Sequence, residues 1–66
     1  MKWYEYFDIS TKERKWWTQR DKSGVCFEVV KSQITHRFHL LICDEQKGVF
    51  PSLSAAQAVA SAIWAG

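Results

Sequence analysis

The sequence predicts an α+β domain: an antiparallel meander of three to four strands with one C-terminal helix packed on one face, in two layers. Three observations carry this. Short runs of alternating aromatic and β-branched residues recur up to Cys43. Polar clusters with turn chemistry separate them. After Ser52 the period changes, and an alanine-rich stretch with helical spacing runs to the end of the chain.

The elements follow in order. Residues 2–9 form a first strand, with Trp3, Glu5, Phe7 and Ile9 on one face and Tyr4, Tyr6 and Asp8 on the other. Ser10 to Arg14 is polar and reads as a loop. Residues 15–20 form a second strand that puts Trp16 and Trp17 on opposite faces. A one-residue change of register swaps the two, so the pattern does not say which is exposed. Asp21-Lys22-Ser23-Gly24 is a turn, and residues 25–31 form a third strand. Residues 37–43 form a fourth, with Phe38, Leu40 and Ile42 on its apolar face. Asp44 to Gly48 reads as a closing turn. Ser52 or Ser54 then caps a helix over residues 53–65, the latter with Gln57 in a capping box. Leu53, Ala56, Ala60, Ile63 and Trp64 share its core face, with Val59 at the edge. The expected aromatic core is Trp3, Phe7, one of Trp16 and Trp17, Phe27, Phe38, Phe50 and Trp64.

With 66 residues the chain has room for one domain, residues 1–66. At 47% apolar and 24% charged it has the composition of a folded domain. No apolar run reaches the ~18 residues that span a bilayer, so no membrane association is expected. The start, Met1-Lys2-Trp3-Tyr4-Glu5, has no apolar signal-peptide core. A whole small cytoplasmic protein is therefore expected. Cys26 and Cys43 are too few for a disulfide scaffold, and reduced thiols are the default. A cross-strand bond between them depends on the hairpin register.

Metal and catalytic chemistry find little support. Cys26, His36, His39 and Cys43 are ligand types, but a single strand would put His36 on the opposite face from His39 and Cys43. No Cys pair has knuckle spacing. No phosphate loop or HExxH occurs, and a two-layer fold of this size leaves little room for a desolvated cleft. The expectation is a non-enzyme with no metal and no cofactor.

Aromatic content is the outlying feature: ten residues, of which four are Trp and six fall within the first 17 positions. A core this small cannot hide them all, and a monomer rarely exposes a large apolar patch without a use. The candidate contact surface is Tyr4, Tyr6, Arg14, Lys15, Trp17 and Arg20. Tyr, Trp and Arg are the residues that anchor protein interfaces. The same types on an open sheet also stack bases and hold phosphates. Charge decides between them. The net charge is only +2, and Glu5, Asp8, Glu13 and Asp21 are interspersed among the cations. Protein binding is favoured, with nucleic-acid binding through the same face as the alternative.

Residues 51–66 carry no charge. Ala55, Ala58, Ala62 and Ala65 form a narrow ridge on the outer side of the helix. Either alanine serves helix propensity there, or the ridge packs on a second copy in a homodimer.

The stretch Gly48-Val49-Phe50-Pro51-Ser52-Leu53-Ser54-Ala55-Ala56 leads a sheet through a short cap into an alanine-rich helix. In this order of elements the chain resembles small phage and mobile-element domains, among them integrase arm-binding domains, HicB-type antitoxin domains and anti-CRISPR inhibitors. Arm-binding domains are generally more basic. The resemblance to phage inhibitors implies a protein that blocks a host defence system by covering a surface on a larger host protein, in the host cytoplasm. No functional residue carries over from it.

Overall fold

The computed structural model describes residues 2–18 and 24–65. It has five strands and one helix: β1 (Tyr4–Asp8), β2 (Glu13–Trp17), β3 (Phe27–Lys31), β4 (Phe38–Ile42), β5 (Glu45–Phe50) and α1 (Leu53–Ala65). The strands form one antiparallel sheet in chain order, β1-β2-β3-β4-β5. The α+β meander and its C-terminal helix are as expected. The strand count is not, because a fifth strand replaces the expected turn over Asp44 to Gly48. Arg20 and most of the expected turn at Asp21 to Gly24 lie outside the described residues.

The extra strand follows from the preceding turn. Cys43 and Asp44 both take positive φ, 51° and 67°, between Ile42 and its partner Glu45. That is the two-residue hairpin geometry whose twist suits flanking strands, here built without the usual glycine. The β4–β5 register then shifts between Leu40 and Leu41, which pair with Gly48 and Gln46. Gly48 carries the ring of Phe50, since a Cβ there would lie 3.0 Å from its Cε2 and Cζ. A glycine under an aromatic ring keeps an otherwise weak strand position packed.

The β1–β2 loop is set by Asp8. Its Oδ1 accepts hydrogen bonds from Ser10 N (3.0 Å), Ser10 Oγ (2.6 Å) and Thr11 N (3.4 Å), closing an Asx-type turn. In the β3–β4 loop Ser32 Oγ accepts from Ile34 N and Thr35 N, each at 3.2 Å. The helix starts at Ser52, whose Oγ accepts from Ala55 N at 3.1 Å. Ser52, not Ser54, is the cap, so Gln57 completes no capping box.

The core is Trp16, Phe27, Val29, Leu40, Ala56 and Ala60, with Trp3, Val25, Phe38, Ile42, Phe50 and Leu53 packed against it. Alanines at 56 and 60 let the helix lie close to the sheet. The helix packs over β3, β4 and β5 and leaves β1 and β2 beyond its edge. This offset overturns part of the expected core. Phe7 is 54% exposed because, among the described residues, the helix does not reach over β1. Ile63 and Val59 are exposed on the flank of the helix, and Trp64 is only partly covered, by tilted contact with Phe27 at 5.6 Å.

Candidate functional site

Register assigns every strand residue to a face. Trp16 pairs with Glu5 and Val29 on the helix side and is 8% exposed; Trp17 pairs with Tyr4 and Glu28 on the open side and is 37% exposed. Trp16 is held in place by its indole Nε1, which donates to Glu5 Oε2 at 2.8 Å. The alternation that sequence alone could not phase is thereby fixed.

The open face has two central rows. One runs Tyr4, Trp17, Glu28, Leu41, Gln46, and the next runs Tyr6, Lys15, Val30, His39, Val49. Tyr4 and Trp17 stack with centroids 5.0 Å apart and planes at 29°. Lys2 Nζ lies 5.3 Å from the centroid of Tyr4. Beside the stack, Tyr6, Trp17, Cys26, Glu28, Leu41 and Cys43 border a shallow depression of about 430 Å³. Tyr6 and Val49 are among the exposed large apolar residues here.

The polar groups of this face are largely spoken for. Lys15 Nζ lies 3.0 Å from Asp8 Oδ2. The Ser10 hydrogen bond, then Lys15 and Thr11, holds the Asp8 carboxyl well below the usual carboxylate range. Its hydrogen bond to Asp8 raises the Lys15 pKa. The Tyr6 hydroxyl donates to Glu28 Oε2 at 3.2 Å. Its pKa is raised by desolvation and then by the Glu28 charge. Glu13 pairs with Asp8 at the rim. On β1 to β3 this face thus presents Asp8, Glu13 and Glu28 against Lys15.

Of the six residues expected at the contact surface, Tyr4, Tyr6, Lys15 and Trp17 come together here. Arg14 does not: its parity is that of Trp16, so it lies on the helix side of the sheet. Arg20 lies outside the described residues. On the helix, Ala58 and Ala62 are exposed, Ala55 is half-buried, and the side chain of Ala65 lies outside the described residues.

The helix side holds a second feature that sequence reasoning missed. Phe7, Arg14, Lys31, Phe38 and Phe50 form a row across all five strands. Where the helix leaves this row uncovered, a groove of about 580 Å³ opens. Lys12 and His36 border it from the two loops, both with positive φ, 57° and 59°. Phe7, Arg14 and Lys31 come to one face only through the register of β1, β2 and β3, so no pattern in the sequence groups them.

The four metal-ligand types do not converge. His36 borders the groove, His39 sits on the open face with Nδ1 3.1 Å from Gln46 Oε1, and Cys43 N donates to Cys26 O at 3.1 Å at the far end of the β3–β4 pair. Both thiols are unbonded. Among the described residues no three His, Cys, Asp or Glu side chains cluster for a metal, and no helix is long and apolar enough to cross a membrane. Comparison with protein-family models, curated proteins and solved structures finds no match to this chain.

Proposed function

We infer that this chain is a non-enzymatic protein-binding module whose contact surface is the open sheet face, anchored by Tyr4 and Trp17. The observation that carries the reading is their stack at 5.0 Å on a face that no element among the described residues covers. Two rings held rigid against each other lose little entropy on docking and bury a large area, the properties of an interface anchor. Tyr6, Leu41 and Val49 extend the apolar surface around them. The carboxylates of Asp8, Glu13 and Glu28 favour a partner whose apolar patch is edged by Arg or Lys. The action is steric: the module covers a surface of a larger protein. The sharper form of the proposal is an inhibitor of a host defence system, of phage and anti-CRISPR type, working in the cytoplasm.

Nucleic-acid binding by this same face is the less favoured reading. Its strand cation, Lys15, is already paired with Asp8, and three carboxylates face any approaching phosphate. Self-association through the outer side of the helix is a further alternative, favoured by the exposure of Ala58, Val59, Ala62 and Ile63 with no charge among them. Ala58→Arg tests it by splitting a dimer in sedimentation while leaving the fold intact.

Immobilised wild type and a Tyr4→Ala/Trp17→Ala variant, each offered bacterial lysate, test the main proposal. A protein retained near stoichiometry by wild type and lost by the variant is the expected result. Equal retention by both moves the interface elsewhere.

A further inference from the structure

We propose a second binding site on the other side of the sheet: the groove beside the helix takes single-stranded nucleic acid, with phosphates on Lys12, Arg14 and Lys31 and a base on the ring of Phe7. This site is independent of the open face.

Charge is the first support. Arg14 and Lys31 are direct cross-strand partners, and Lys12 reaches the same groove from the adjoining loop. Like charges placed opposite each other on a sheet are unfavourable unless something anionic lies between them. Among the described residues no carboxylate forms an ion pair with any of the three. Glu5, one row away, is turned onto the Trp16 indole.

Shape and chemistry are the second. The row reads aromatic, cation, cation, aromatic: Phe7, Arg14, Lys31, Phe38. Lys31 Nζ lies 5.8 Å from the Phe38 centroid, which leaves Phe7 as the uncovered ring. Phe7 and Arg14 are direct cross-strand partners, so a ring and a guanidinium stand side by side on adjacent strands, the pair of groups that receives a base and its phosphate. A groove of about 580 Å³ is of ligand-binding size and is open to the surface, so a strand can continue past it. An acidic peptide would use the cations but would leave the exposed ring without a stacking partner.

Backbone geometry is the third. Lys12 holds a left-handed conformation (φ 57°) that residues other than Gly, Asn, Asp and His rarely adopt, and it borders this groove.

The test is fluorescence anisotropy of a labelled short oligothymidylate, with polyglutamate and heparin as competitors. Saturable binding should weaken with salt at a log–log slope near −2, from three contacts at about −0.7 each. Arg14→Gln/Lys31→Gln should weaken binding at least about tenfold and bring the slope to about −1 or shallower. Phe7→Ala should weaken it severalfold with the slope unchanged. Trp17→Ala should bind as wild type does. All these side chains are exposed, and circular dichroism checks that each variant is folded. Absent binding at low salt, an unchanged slope in the double variant, or competition by polyglutamate or heparin equal to that of unlabelled oligothymidylate would overturn the proposal.

Discussion

Tyr4 and Trp17 are cross-strand partners whose rings stack on the open face, while Trp16, one residue away, is buried beneath the helix side. Adjacent tryptophans therefore have different roles. Trp16→Ala should cost about 3–5 kcal/mol, the usual loss for emptying a core aromatic site. Trp17→Ala should cost less, about 1–3 kcal/mol, since its side chain is 37% exposed and loses partial burial together with its stack on Tyr4. Chemical denaturation of the two variants separates them, and equal losses would contradict the assignment of faces.

Arg14 faces Lys31 across the β2–β3 pair, and like charges placed opposite each other on a sheet oppose folding. Arg14→Gln should raise stability by about 0.2–1 kcal/mol at low ionic strength. The gain should vanish as salt rises, because exposed charges are screened. Thermal melts at two salt concentrations check it. A variant that is both more stable and poorer at binding oligothymidylate is the signature of a site kept for function.

Acid should weaken the β1–β2 hairpin. The folded pKa of Asp8 is depressed below its unfolded value of about 3.9, so its contribution is fully present above that value. It is lost as pH falls toward the folded pKa. Asp8→Asn should lower stability at neutral pH and flatten the acid limb of the pH–stability curve. At the alkaline end, Lys15 and Tyr6 both have raised folded pKa values, so their contributions hold below about pH 10 and fade as pH rises through the folded values.

Gly48 lies under the Phe50 ring, with no room for a Cβ unless that ring moves. Gly48→Ala should destabilise by about 1–3 kcal/mol through overpacking. In the Phe50→Leu background the same change should cost less, a coupling that a double-mutant cycle measures.

Much of the architecture was legible in the sequence because local patterns agree with it. Alternation marked the first four strands, although the second begins at Glu13, inside the stretch expected to be loop, and the helix begins at Leu53 with Ser52 capping it, one of the two expected caps. The fifth strand was not legible. Cys43-Asp44 lacks the Asn-Gly or Asp-Gly signature of its turn type, and Glu45-Gln46-Lys47-Gly48 reads as polar loop because the bulge and the Phe50 ring that hold it are tertiary features. The exposure of Phe7 was likewise hidden, since composition does not say how far across the sheet one helix reaches. For the same reason the aromatic–basic surface appeared as one. Strand parity divides it, leaving Tyr4, Tyr6, Lys15 and Trp17 on one side and Arg14 with Phe7 and Lys31 on the other.

The open face is proposed to bind protein. The most direct measurement is affinity capture from bacterial lysate, with and without nuclease, comparing wild type, Tyr4→Ala/Trp17→Ala and Arg14→Gln/Lys31→Gln. One protein should be retained near stoichiometry by wild type and by the Arg14/Lys31 variant, with nuclease present or absent, and lost by the Tyr4/Trp17 variant. Retention that survives loss of the Tyr4–Trp17 stack, or that disappears with nuclease, would contradict the proposal.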